Sequence, residues 1–293
     1  MIIYTGGGGM KIGIVADTSS NFTPELAEEL GIHIVPMQIV IDEDTYRDAI
    51  DLSIEDFYQE MSTSKELPTT SQPAIGEFIQ LYEKIEKDYD KIISIHPSSK
   101  LSGTFNTATM AANQVNPDKI TVFDSEMVSI LTGYLVLEAK RLVNLDKSFD
   151  TIMNRLMNMR TRTVAFVMIE NFDNLVRSGR IPRIAGKITK LAQIKLILKI
   201  SAKGIELEKI VRTSKRAIRK LDEIAYTYFD KLKYPAKIDV AHGNMMEAAE
   251  EKLADLMNRY PEQKSTIYRL ASVIGVHTGP GILGYTITPE YKD

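Results

Sequence analysis

KIGIVADTSS, residues 11–20, is a β-branched apolar run that stops at a polar turn. With no polar alternation, such a run reads as a strand covered on both faces, as in a parallel sheet with helices on each side. The residues after it complete the unit. Thr23-Pro24-Glu25 opens an apolar-periodic helix, with Thr as N-cap and Pro at the first position, and Gly31 closes it. Ile32–Ile41 is a second strand candidate, Ser53–Ser62 a helix, Leu67–Pro73 a turn-rich stretch and Ala74–Asp88 an amphipathic helix. Lys91–His96 is another β-branched strand, Thr104–Gln114 a helix and Ile120–Phe123 a strand. Strands alternating with helices in this way predict a parallel, doubly wound sheet over about residues 10–143.

The second half has a different rhythm. Val164–Ile169 reads as a strand and Phe172–Ser178 as a short helix. Ile194–Ser201 and Ile205–Val211 form a hairpin through Lys203-Gly204, and Ser214–Leu232 is a long helix. A strand at Ile238–Ala241, a helix over Met245–Arg259, a strand near Ile267–Leu270 and a terminal stretch Tyr285–Thr288 complete a mixed α/β layer. The length, 293 residues, suits two α/β domains. Residues 1–9, MIIYTGGGG, read as a leader or tag-like arm, because consecutive glycines do not hold a fixed conformation cheaply.

Composition narrows the function. With 36 Lys+Arg against 39 Asp+Glu, no global field favours nucleic acid or an anionic membrane. The absence of Cys removes disulfides, thiolate metal sites and cysteine nucleophiles, and is compatible with the cytoplasm. No apolar run is long enough to cross a bilayer, and the start lacks a signal-peptide pattern. Phosphate-loop, zinc-helix, nucleophile-elbow and EF-hand signatures are missing. Gly279–Gly284 formally matches G-x-G-x-x-G, but too few residues follow to build a dinucleotide-binding unit.

Hydroxyl residues gather in three clusters, Asp17-Thr18-Ser19-Ser20, Pro68–Pro73 (PTTSQP) and Ser98–Thr104 (SSKLSGT). In open α/β sheets the crevice at the carboxyl ends of strands is the usual ligand site, and hydroxyls with free backbone N–H groups there can hold an anion. Any one of Thr70, Ser71 or Ser102 would also serve as an ordinary N-cap, so the argument rests on the three clusters together. The motifs offer hydroxyls, amides and one histidine without an obvious Arg or Lys clamp, which favours a singly charged carboxylate over a phosphate. A fourth cluster, His277-Thr278-Gly279-Pro280-Gly281, follows the apolar Val273–Val276, and its histidine could donate to the same anion or simply be satisfied in a turn.

Together with NLVRSGRI at Asn174–Ile181, these motifs resemble, in order, the DegV family of bacterial fatty-acid-binding proteins. The resemblance implies a two-domain α/β fold. Residues 10–160 would form an N-terminal α/β/α domain with a parallel sheet, and residues 161–293 a C-terminal α/β domain with a mixed sheet. It implies a long-chain fatty acid in an interdomain tunnel, with no cofactor and no metal. Thr70, Ser102, Gly103, His277 and Thr278 would hold the carboxylate, supported by Asp17, Ser19, Ser71, Ser98 and Gly279. It further implies a cytoplasmic carrier with no catalytic residue of its own. A separate fatty acid kinase subunit would dock on Arg180 and Arg212 and phosphorylate the carboxylate, and a transient membrane encounter is compatible with that role. Two departures stand out: Ser178, where many relatives have Gly, and Ala74, where Ser is common. Burying about 14 methylenes at ~0.8 kcal/mol each would contribute on the order of 11 kcal/mol before association costs. The tail would supply affinity and the polar clusters orientation.

Two other readings use the same residues. A serine-type acyl hydrolase would take Ser102 or Ser19 as nucleophile and His277 or His96 as base. A nucleic-acid binder would use residues 177–220, where 14 Lys+Arg stand against Glu206 and Glu208, although interleaved aromatics and known binding motifs are missing. An acidic protein partner explains that patch as well.

Overall fold

The structure, a computed structural model, describes residues 10–181, 184–186 and 194–291; the expected arm at residues 1–9 lies outside them. β1 (Ile12–Asp17) is buried at every position, as its unbroken apolar run requires. It pairs in parallel with β2 (His33–Val35) and β6 (Lys91–His96), and β6 pairs in parallel with β7 (Ile120–Asp124), giving the order β2-β1-β6-β7. The Thr23 hydroxyl caps α1 (Pro24–Leu30), and Gly31 ends it at φ 63°. α3 (Ile75–Ile85) and α4 (Thr104–Val115) cover one face of the sheet through Phe78, Tyr82, Ala108 and Ala111. α5 (Ile130–Asn144) covers the other face.

Ile32–Ile41 is not one strand. Pro36 carries no N–H, and the next amide, Met37 N–H, donates to the Thr18 hydroxyl at 3.0 Å instead of to a ladder. Beyond it β3 (Gln38–Ile41) joins a separate antiparallel sheet, order β4-β3-β5, with β4 (Asp44–Arg47) and β5 (Thr69–Ser71). The stretch expected to be only turns therefore contains a strand, which sets Thr70 opposite Ile39. α2 (Ile54–Thr63) starts at its Ser53 cap as expected.

The second sheet has the order β10-β9-β8-β13-β11-β12, built from β8 (Val164–Ile169), β9 (Lys195–Ser201), β10 (Gly204–Val211), β11 (Ala236–Gly243), β12 (Ile267–Arg269) and β13 (Ile282–Pro289). All pairs are antiparallel except β11 with β12. The expected ending Tyr285–Thr288 is longer than foreseen and sits centrally, between β8 and β11. The two faces of this sheet do different work. Val164, Phe166 and Met168 share a core with α8 (Ser214–Asp230) and α9 (Met246–Arg259), whereas Ala165, Val167 and Ile169 join the core of the first half. That larger core also takes in α5 and α6 (Phe149–Arg162), to which the sequence reading assigned no element; α6 runs across the boundary expected at residue 160 and packs against β9 and β13. α7 is Asp173–Arg177 and α10 is Ser272–Thr278.

Candidate functional site

A cavity of about 670 Å³ opens between α5 and the inward face of the second sheet. Its sides are Ile130 and Leu131 of α5, Ala165, Val167 and Ile169 of β8, Leu198 and Ile200 of β9, and Ile282 of β13. One end is polar, and there the separate motifs meet: Thr70, Ser71 and Gln72 from β5 and the residue after it, Ser99–Gly103 from the loop after β6, His277 and Thr278 from α10, and Arg180 after α7. A second cavity of about 600 Å³, lined by Lys65, Asn174 and Arg177, shares Thr70, Ser178, Arg180 and His277 with the first. The polar end is therefore a junction between an apolar chamber and a polar vestibule.

His277, read as following an apolar run and either donating to the anion or satisfied in a turn, occupies the last turn of α10. Its Nε2 lies 2.8 Å from the Thr70 hydroxyl. Burial, reinforced by the Arg180 charge, lowers the His277 pKa from 6.5 to about 4, so the ring is neutral near pH 7. The Thr278 hydroxyl donates to the Ile274 carbonyl at 2.9 Å, so it would have to turn from that carbonyl to donate to an anion. Gly279, at φ 68°, ends the helix in a backbone conformation that a side chain would strain. Asp48 is 1% exposed; Thr18 and the Val273 backbone favour its charged form, but burial outweighs them and raises its pKa to about 6.

In the loop after β6, Ser102 lines the cavity; its Oγ lies 2.8 Å from Thr104 Oγ1 and accepts from the Thr104 amide at 3.3 Å, so it is also a local cap. Gly103 begins α4 under the Gln72 side chain, and a Cβ there would lie 1.7 Å from Gln72 Oε1. That approach lets Gln72 donate to the Thr107 hydroxyl at 2.6 Å, locking the β5 segment to α4. Ser71 lies at the rim and donates to Gln38 Oε1. Ser98 is buried and accepts from the Lys100 amide, outside the cavity lining.

The first cluster is largely a foundation. Asp17 is wholly buried, 2.7 Å from His96 Nδ1 through one oxygen and accepting from Ser19 through the other. His96 Nε2 lies 2.7 Å from Ser94 Oγ, which takes the Tyr82 hydroxyl proton at 2.8 Å. Only Ser19 of this network lines the cavity. Among the described residues no hydrogen bond joins a cavity-lining serine to a histidine: His277 meets Thr70, and both nitrogens of His96 are occupied away from the cavity.

Arg180 is half-buried and donates to the Ser178 carbonyl at 2.6 Å, while lining both cavities. The polar end thus holds a guanidinium that motif reading placed on a docking surface. Arg212 is exposed and follows Val211, the partner of Lys195 at the same end of the sheet. Ser178 is right-handed at φ −64°, and the left-handed residue of that turn is Gly179, so Ser in place of Gly costs the turn nothing. Ala74 supplies no cap to α3, where Glu77 still reaches back to the Ala74 amide at 2.9 Å. Of the basic stretch, Arg183, Lys187 and Lys190 lie outside the described residues. The cavity walls were missed in the sequence; the alternation Ala165-Val167-Ile169 carried a signal, but did not say that this face meets a void. Among the described residues no helix is long and apolar enough to cross a membrane, and no group of three or more His, Cys, Asp or Glu could hold a metal ion.

The DegV family model, whose description is of an uncharacterised protein, matches residues 11–290. The chain belongs to the DegV family. A DegV domain-containing protein of Listeria innocua is 35% identical over 277 residues, covering 94% of this chain and 98% of its own. The crystal structure of DegV from Bacillus subtilis, described as a fatty acid binding protein, has a TM-score of 0.86 at 36% identity, with 96% of this chain and 100% of that chain covered. A DegV family protein of Thermus thermophilus, whose structure is described for its fatty acid binding, gives 0.87 at 26% identity over the same shares. The α/β architecture, with its parallel sheet and larger mixed sheet, is that of these DegV structures.

Proposed function

We propose that this DegV family chain binds one long-chain fatty acid, tail in the apolar chamber and carboxylate at the junction with the vestibule. The observation that carries the reading is the pairing of an apolar cavity with a polar end made of Thr70, Ser102, Gly103, His277 and Thr278, with two cations, Lys100 and Arg180, on the same lining. Neutral donors satisfy a single carboxylate charge, and the guanidinium offsets its desolvation. The fatty-acid-binding relatives from Bacillus subtilis and Thermus thermophilus support the same ligand class. Denaturing extraction with mass spectrometry, alongside native mass, tests it: one fatty acid per chain is expected, and a reproducibly empty or nucleotide-loaded protein overturns it.

We further propose that the protein is a cytoplasmic carrier that presents the carboxylate, through the vestibule, to a separate fatty acid kinase subunit. A carboxylate at the junction would be reachable from the vestibule while its tail stays enclosed. The exposed Arg212 suits an acidic docking face, since complementary charge speeds encounter. With kinase and ATP, loaded protein should yield acyl phosphate, and Arg212→Glu should slow transfer while leaving lipid content unchanged. Hydrolysis of an acyl ester by the isolated protein would instead favour a hydrolase.

A further inference from the structure

The strand register gives the chamber a direction. At the polar end, Ile169 of β8 stands opposite Ile282 of β13 and Leu196 of β9; two residues along, Val167 faces Gly284 and Leu198; two further, Ala165 faces Thr286 and Ile200. From the first row to the last is about 13 Å at ~3.3 Å per residue. The middle row is kept open by small residues, since Gly284 has no side chain and its other neighbour is Ala241.

The last row meets something unlike the apolar walls. Thr286 lines the cavity, and its hydroxyl lies 2.8 Å from the Tyr134 hydroxyl, which donates to Asp239 at 2.7 Å. Asp239 is fully buried and further held by the Thr266 amide at 2.7 Å, the Thr266 hydroxyl at 3.1 Å and Lys237 at 3.0 Å. Tyr134 has one hydroxyl hydrogen and gives it to the carboxylate, so Thr286 must donate to Tyr134 and has no hydrogen left for another partner. The Tyr134 ring is braced edge-on by Tyr268, with centroids 5.5 Å apart. A hydrocarbon tail has nothing to offer in exchange for these hydrogen bonds, so pushing past them would leave buried polar groups unpaired. In the same row, beyond Ala165, Ile200 and Ile205 line the cavity on the side away from Thr286.

We propose that Thr286, locked by Tyr134 and Asp239, is the end stop of the acyl chamber and sets the longest chain that binds with full affinity. The proposal rests on the fatty-acid reading above. Methylenes that find no room each forfeit about fourfold in affinity. The test is displacement of a fluorescent fatty acid by myristate, palmitate, stearate, arachidate and behenate, on wild type, Thr286→Leu and Thr286→Ala. Thr286→Leu should weaken the longest chain that wild type binds well by roughly tenfold, about two methylenes' worth, and leave myristate unchanged. Thr286→Ala should move the fall-off to a longer acid. Length profiles that coincide for all three proteins, with binding intact, overturn the end stop but not the fatty-acid site. Failure of wild type to bind any acid overturns both. Circular dichroism melts establish that the variants compared are folded, and Tyr134→Phe, which should blur the fall-off by freeing Thr286, provides a second route to the same answer.

Discussion

The Thr70 hydroxyl lies 2.8 Å from Nε2 of His277, a hydrogen bond between residues 207 positions apart that joins the small antiparallel sheet to the last turn of α10. Both side chains are half-buried and both line the two cavities, so the bond sits where the apolar chamber meets the polar vestibule. A neutral ring can give its Nε2 hydrogen to Thr70, which then turns its own hydrogen to an incoming carboxylate.

Thr70→Val keeps the shape and removes the hydroxyl. Fatty acid affinity should fall about tenfold or more, as for a hydrogen bond to a charged group, with secondary structure retained. Ser102→Ala should act in the same direction. Isothermal titration with a single acid measures both, and unchanged affinity in the two variants would remove these residues from the carboxylate site.

The His277 pKa of about 4 makes folding sensitive to pH in a defined window. Above pH 6.5 the ring is neutral in folded and unfolded chains alike and adds no pH dependence. Between 6.5 and 4 the unfolded chain takes up a proton that the folded chain refuses, so acidification lowers stability. Asp48, raised to about 6 from 3.8, acts oppositely between those values, because there the folded chain holds the proton. Comparing wild type with His277→Asn by urea titration cancels Asp48. The difference should be flat above pH 6.5 and move against wild type as the pH falls toward 4; a difference flat throughout would refute the buried neutral histidine.

Gly103→Ala drives a methyl into the Gln72 amide, which must leave Thr107. Lost anchoring of the β5 segment should cost about 1–2 kcal/mol of stability and several-fold in lipid affinity. Gln72→Ala in the same background should recover much of the stability, because the clash partner is gone; a double variant no better than the single one argues against this contact.

Val167→Trp places a large ring in the middle row of the chamber, opposite Gly284 and Leu198. Extraction should then recover little or no lipid, while the unliganded fold persists because the ring occupies space the tail would have filled. Normal lipid content in this variant would mean that the tail lies elsewhere.

Local punctuation made much of this architecture readable. The β1 run, the Thr23-Pro24 start and Gly31 stop of α1, and the Lys203-Gly204 hairpin are where residue chemistry and backbone geometry coincide within a few positions. Pro36 was a legible break that a continuous strand reading overrode. The polar motifs converge because each lies at an element end on one side of the molecule. Arg180 was harder to place, since a turn residue's direction depends on how α7 packs against α10. The chamber walls were hidden for a related reason: Ala165 and Val167 look like core in sequence, and only the gap opposite them distinguishes a wall from a core.

Tyr134 has one further consequence. It sits on the helix covering the first sheet, yet its hydroxyl ends on Asp239 of the second, and the largest core runs through both. A chain divided near residue 160 would strand a buried carboxylate on one fragment and a broad apolar face on each. The two halves should therefore melt in a single transition, and a lipid seated between them should raise its midpoint as a shared ligand does, by mass action on the whole molecule.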